Sequence, residues 1–304
     1  VQRYACDRCG KSFSELQPLD GVRVDFDKVC QTARLFAEGL GVRAVCRLTG
    51  LDKETVLHVL VRAGEHCAEL LDQKIVNLKP EPLEIDECWT FVKNKRALKN
   101  TADAGDFYAF LASGKQSKLI LSNVVGKRTK PVASDFMLDI RTRIAGRYQI
   151  TSDSWAGFIH GVLDTSLHKA DYATQAKKFT GYNLPIKDSL RRYSPGKCVG
   201  VRTRIICGNP DRDEITTSHA ERLNLSLRHF NKRFTRLSPC FSKKFENLVL
   251  SVALTVAYFN FCRNHAALKI KATETTKAQE RTPAMAAGLT DHTWTIAELL
   301  QSAI

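Results

Sequence analysis

The sequence predicts an α+β chain of several units: a short cysteine-bearing knuckle, a helical unit, and a larger α/β unit with a helical tail. Three observations predict it. The 304 residues exceed the ~100–200 of an ordinary domain, so two or three units are expected. The texture changes along the chain. Residues 1–20 are short and polar, 25–75 carry helical periodicity, and 80–304 read as an α/β unit followed by helices. Hydrophobic residues make up 43%, enough to bury a sizeable core and to exclude disorder as the dominant state.

Charge narrows the function classes. Lys+Arg exceed Asp+Glu by 46 − 32 = 14. Such an excess points to a polyanionic partner, nucleic acid first, and away from enzymes of small anionic metabolites. No stretch approaches the ~20 consecutive apolar residues of a bilayer span. The longest, Leu248 to Phe259, is interrupted by Ser251 and Thr255. The N-terminus lacks an apolar signal region. The expectation is a soluble, intracellular protein with no membrane partner. Its ten cysteines form no small disulfide framework and are expected mostly as buried thiols.

The first unit carries Cys6-Asp7-Arg8-Cys9-Gly10. Two thiolates at this spacing fit one edge of a tetrahedral zinc site, and the glycine permits the tight turn. Cys6 and Cys9 are therefore candidate Zn²⁺ ligands of a zinc-ribbon remnant. A structural site needs four ligands, so the second pair lies upstream of Val1 or is absent.

In the second unit, helices are expected over 27–39, 42–49 and 53–70, separated at Gly41 and Gly50. Asp52 is the N-cap candidate of the third. The run from Val42 to Val56 fits a helix-turn-helix: Ala44 is small where helices cross, Gly50 and Leu51 form the turn, and Val56 and Leu60 face inward. Lys53, Thr55, His58 and Arg62 would then face a DNA groove. The alternative is an ordinary three-helix unit without DNA contact.

Asn77 to Leu83, with two prolines, reads as the linker. Leu83 to Val92 alternates as a strand, and Phe107–Ala112 and Lys118–Val125 form a hairpin around Ser113-Gly114. Residues 131–145 are amphipathic, with Val132, Phe136, Ile140 and Ile144 at helical spacing. Tyr148 to Thr151 is a fourth strand. The order β-β-β-α-β is that of a ribonuclease H-like core.

Two acids stand out in this frame. Asp86 lies within the first strand, beside apolar Ile85, and Asp153 ends the fourth. The first and fourth strands of such a core lie side by side, so the two carboxylates can meet. A charge on an apolar strand is costly unless paired or bound to a cation, and Mg²⁺ prefers such hard oxygen ligands. Glu221 supplies a third carboxylate, on a helix where Glu221, Asn224 and Arg228 share one face. Arg228 offers a fork for phosphate. Taken singly, Asp153 also reads as a helix cap and Glu221 as a solvated residue.

Basic residues mark a DNA path. Residues 187–205 hold Lys187, Arg191, Arg192, Lys197, Arg202 and Arg204 against one acid, Asp188. Residues 228–244 hold Arg228, Lys232, Arg233, Arg236, Lys243 and Lys244 with no acid. Trp89 and Trp155 beside the proposed ligands read either as base-stacking platforms or as core aromatics. Cys88 reads as a small buried neighbour, and His219 as structural or at most a phosphate contact.

The chain resembles a DDE transposase of the insertion-sequence family one type. The resemblance spans nearly its whole length. It runs through the knuckle, the helix-turn-helix, Asp86-Glu87-Cys88-Trp89-Thr90-Phe91-Val92, Asp153-Ser154-Trp155 and the block from Ser218 through Asn247. It continues through Tyr258 to Arg263 and Arg281 to Leu289. The resemblance implies that Asp86, Asp153 and Glu221 hold two Mg²⁺ (or Mn²⁺) ions. It implies cleavage at the element's 3′ ends and joining to target DNA. It also implies double-stranded DNA partners (terminal inverted repeats and target), a homodimer or higher assembly, and a bacterial cytoplasmic, nucleoid-associated location. The truncated zinc ribbon departs from the family pattern. Two other functions stay open, a structure-selective nuclease of ribonuclease H-like fold and a catalytically silent DNA-binding derivative.

Overall fold

The structure, a computed structural model, describes residues 3–14, 19, 21–95, 103–180, 196–272 and 278–302. Lys187, Arg191 and Arg192 of the basic run lie outside the described residues.

A hairpin of β1 (Arg3–Ala5) and β2 (Ser12–Ser14) opens the chain. Three helices follow: α1 (Phe26–Ala37), α2 (Val42–Thr49) and α3 (Lys53–Lys74). Local chemistry sets their ends. Gly50 ends α2 at φ 72°, a left-handed value that favours glycine. Asp52 then caps α3, its carboxylate accepting from the amides of Glu54 (2.8 Å) and Thr55 (2.9 Å). Val56 and Leu60 are buried, as the pattern requires. Helix α1 ends two residues earlier than expected, and α3 runs four residues further. The extension has a tertiary support: the Arg143 guanidinium donates to the carbonyls of Leu71, which also accepts from the Ile75 amide, and of Ile75.

The remaining strands are β3 (Leu83–Val92), β4 (Gly105–Gly114), β5 (Ile120–Gly126), β6 (Tyr148–Ser152), β7 (Ala170–Phe179) and β8 (Cys198–Cys207). Helices α4 (Lys130–Arg143) and α5 (Ala156–Thr165) flank β6 in sequence. The six strands form one mixed sheet, ordered β5-β4-β3-β6-β7-β8. The β3–β6 and β6–β7 pairs are parallel and the others antiparallel. This order is compatible with a ribonuclease H-like core extended by an edge strand. Strand β8 was not expected, although Val199, Val201, Thr203 and Ile205 alternate with Gly200, Arg202 and Arg204; the arginines read instead as part of a basic run.

Strand alternation separates the two faces of the sheet. Phe110 meets Phe136 of α4 and Phe158 of α5. Its neighbour Leu111 lies with Leu223 and Leu227 of α6 (Ser218–Phe230). Helix α7 (Phe245–Ala257) lies against β5 on that second face and also packs along α3. The α3–α7 approach is close: a Cβ on Gly64 would stand 2.6 Å from Leu250. Helical geometry continues past α7 through a π-turn at Tyr258–Cys262 and a short turn at Ala266–Leu268. The run Phe245–Leu268 is therefore long and apolar enough to match a membrane span by length and composition, and most of its apolar stretch is buried inside the protein. The expected linker is pinned, since Leu78 pairs with the backbone at Arg143 and Ala145.

Candidate active site

Strand β3 carries three acids in four residues. Its register with β4 sets Glu84 opposite Ser113, Asp86 opposite Leu111 and Glu87 opposite Phe110. Glu84 and Asp86 thus face α6, while Glu87 faces α4 and α5. The parallel partner β6 aligns Leu83 with Ile150 and Glu84 with Thr151. The pairing ends there; Asp153 follows β6 by one residue, and its charge reaches Asp86.

Asp86 is held from two sides. Its Oδ1 accepts from the Glu87 amide (2.8 Å) and its Oδ2 from Asn224 Nδ2 (2.7 Å). Burial pushes its carboxyl up to about 6; the Glu87 amide and Arg228 work against that shift, and the charges of Asp153 and Glu221 add to it. Asp153 Oδ1 accepts from the Trp155 amide (3.0 Å), just ahead of α5. Ser152 Oγ donates to the Asp153 carbonyl and also meets the Tyr172 hydroxyl (both 2.6 Å). Glu221 is exposed; its Oε1 accepts from Lys177 Nζ (2.6 Å) and Thr217 Oγ1 (3.2 Å). Among the described residues, no three His, Cys, Asp or Glu side chains form a group that would hold a metal ion. The Lys177 pairing of Glu221 and the Asn224 pairing of Asp86 occupy oxygens such a group would use.

Glu87 completes the acidic set. Its Oε1 takes the Arg128 fork (Nε and Nη2, both 2.7 Å). Burial, then the charge of Asp153, push it up to about 7. Arg128 lies over the Trp155 ring, 4.6 Å from its centroid. Trp155 itself packs against Phe110 and Phe158.

Among the described residues, five buried side-chain atoms lack a hydrogen-bond partner: Glu84 Oε1, Glu87 Oε2, Ser113 Oγ, Asn224 Oδ1 and Arg228 Nε. All five lie on β3, on its neighbour β4, or on α6. Native proteins leave few such groups, and each calls for a reason.

The basic candidates divide by exposure. Lys53, His58, Arg236, Lys243 and Lys244 are exposed. Thr55 turns its hydroxyl onto Asp52, and Arg62 pairs with Glu65 (2.6 Å). Lys232 and Arg233 are half-buried, and Arg233 Nε donates to Ser242 Oγ (2.8 Å). Cys88 is buried, and burial pushes its thiol up to about 11, which makes it inert. His219 faces Lys118 Nζ (3.2 Å). At the N-terminus, Cys6 and Cys9 flank a turn closed by the Gly10 amide on the Cys6 carbonyl (2.8 Å), with Gly10 at φ 66°. Glu84, Glu87, Arg128 and Lys177 were not singled out from the sequence. The two glutamates carried a signal, being charges on an apolar strand. Arg128 and Lys177 carried none, because their partners lie 41 and 44 residues away.

No family profile matches the chain, and no curated protein matches it. Among solved structures, a piggyBac transposase synaptic complex with hairpin DNA aligns at 10% identity and a TM-score of 0.35. It covers 77% of this chain, which spans 65% of that one, just under two thirds.

Proposed function

We propose that the chain is a DDE-type DNA transposase, with Asp86, Asp153 and Glu221 as its catalytic acids. One observation carries the proposal. The unsatisfied buried polar atoms converge on β3 and α6, around an Asp86 carboxyl that feels both other acids. The donor chemistry, carboxylate oxygens, is the kind that Mg²⁺ or Mn²⁺ take, and the orphaned Asn224 Oδ1 is a further oxygen acceptor on the α6 side of Asp86. Asp86, Asp153 and Glu221 would hold the ions. When bound, such ions supply an activated oxygen nucleophile and charge neutralisation at the leaving oxygen.

The chain's own groups do the rest. Asn224 fixes the Asp86 carboxylate from the helix side. Arg228, one turn further along the same face, offers its fork to a phosphodiester. Exposed Arg236, Lys243 and Lys244 extend a cationic path for double-stranded DNA. The reaction class is in-line displacement at phosphorus: water first hydrolyses a phosphodiester to a free 3′-hydroxyl and a 5′-phosphate, and that 3′-hydroxyl then attacks a target phosphodiester. In the joining step one phosphodiester replaces another, so no external energy source is needed. The helix-turn-helix reading of α2 and α3, the zinc knuckle and the three-unit division 1–20, 25–75 and 80–304 belong to the same proposal.

The test is a strand-transfer assay on labelled terminal-repeat DNA with Mg²⁺, comparing wild type with Asp86→Asn. Joined products from wild type alone are expected. Cutting without joining would favour the nuclease, and DNA binding with neither reaction the silent derivative.

A further inference from the structure

The amino end of α6 is met by a buried carboxylate from the sheet. Glu84 is 1% exposed. Its Oε2 accepts from the amides of His219 (2.7 Å) and Ala220 (3.0 Å). The Ser218 amide has its own acceptor, Thr216 Oγ1 (3.2 Å). Glu84 therefore takes two of the amides that a helix start leaves open, and its charge suits the positive end of the helix. Two residues along the same face of β3, Asp86 grips Asn224 of the same helix. Glu221 lies between these two attachment points, next to Ala220.

The arrangement is local and rigid. Glu84 sits on a central strand, hydrogen-bonded on both sides by β4 and β6. The cost of burying its charge is opposed, without being cancelled, by the His219 and Ala220 amides and by the nearby Lys115 and Lys118. Lys115 is itself paired with Glu214 (2.6 Å), just ahead of α6. No other acid reaches the first turn of the helix through its backbone amides among the bonds described. A shift of that turn would move Glu221 relative to Asp86, because both attachments are on the strand that carries Asp86.

We propose that Glu84 is a positioning residue of the acidic centre: by accepting the His219 and Ala220 amides it locks the α6 start to β3 and so sets Glu221 against Asp86 and Asp153 for cation binding. The proposal rests on reading those three acids as ligands. It assigns Glu84 no contact with the ion or with DNA. A buried glutamate whose only task was to fill space would be replaceable by any side chain of its size. One that works as an acceptor is replaceable only by another acceptor.

That contrast defines the experiment. Full-length wild type, Glu84→Met and Glu84→Gln are compared by Mn²⁺ titration followed by electron paramagnetic resonance. Amide hydrogen exchange is followed in parallel on the ion-free proteins. Methionine keeps the volume and removes both acceptors; glutamine keeps one. Glu84→Met is expected to weaken Mn²⁺ binding roughly 10–100-fold, the usual cost of losing a group that orients a ligand. It is also expected to speed exchange at residues 218–221 while leaving α4 and α5 unchanged. Glu84→Gln should restore both to within about threefold, a neutral amide being the weaker acceptor. Wild-type Mn²⁺ affinity in Glu84→Met overturns the proposal. So does a Glu84→Gln as impaired as the methionine variant, since the charge and not the acceptor would then matter. If Glu84→Met fails to fold, Glu84→Asp carries the same test: it keeps the charge but withdraws the oxygens, and unaltered Mn²⁺ binding in it overturns the proposal. A wild type that binds no Mn²⁺ removes the reading beneath the proposal, whereas binding that survives loss of the acceptor removes the proposal alone.

Discussion

In the helical unit, polar side chains close the chain's own open ends. Asp52 satisfies two amides of α3, Asp25 accepts from Asp27 at the start of α1, and Thr49 returns its hydroxyl to Val45. Strand β3 and helix α6 combine such a cap, Glu84 on the α6 amides, with polar groups left incompletely satisfied. Glu84, Asp86 and Glu87 are drawn out of water, and Glu84, Glu87, Asn224 and Arg228 each keep an atom without a partner. The first region uses polarity for stability. The second tolerates a polar cost, and such costs concentrate where a protein binds or reacts. The two regions should therefore respond to substitution in opposite ways.

Arg143 gives the largest expected effect on the stability side. It joins α3 to α4 through two carbonyls, Asp72 and Asp139. Arg143→Ala should cost about 3 kcal/mol, read by urea denaturation, because it strands those partners. Mn²⁺ binding should not change. Gly64→Ala comes next. Its methyl group would meet Leu250 at 2.6 Å, and overpacking of this kind costs about 1–3 kcal/mol. A neutral result would show that α3 and α7 part more easily than their packing implies. Asp52→Ala is the smallest, about 1 kcal/mol for a lost cap, measured as a fall in melting temperature. An unchanged stability in both Arg143→Ala and Asp52→Ala would break the comparison, since the helical unit would not be built on satisfied polar groups.

The fold was legible where local pattern and tertiary role agree. Leu83–Val92 alternates and becomes the central strand. Tyr148–Thr151 was expected beside it and lies there in parallel register. Gly50 and Asp52 announced the end of one helix and the start of the next. What escaped was set from far away. The last turn of α3 is held by Arg143, 68 residues beyond Ile75. Strand β8 pairs with the edge that β7 offers, and its apolar positions are exposed, so no core demand marks it in the sequence. In the site, Asp86, Asp153 and Glu221 were visible as acids in a suggestive order. Pairings such as Lys177 with Glu221 are products of sheet order and have no local trace. Glu84 and Glu87 were visible in type but not in role, because a strand acid reveals nothing of the helix that meets it.

The account's central claim is that the β3–α6 acids form a cation site. Folding raises Asp86 from 3.8 to about 6 and Glu87 from 4.5 to about 7. The folded chain then binds more protons than the unfolded chain across that window, so stability should fall as pH rises from about 4 to about 7. The deciding measurement is the melting temperature at pH 5 and pH 8, with and without Mg²⁺, for wild type and Asp86→Asn. The account predicts that ion-free wild type is less stable at pH 8, that Mg²⁺ restores it there, and that Asp86→Asn loses the Mg²⁺ effect while keeping the share of the pH effect that Glu87 supplies. Equal Mg²⁺ stabilisation of wild type and Asp86→Asn, or none in either, would contradict it.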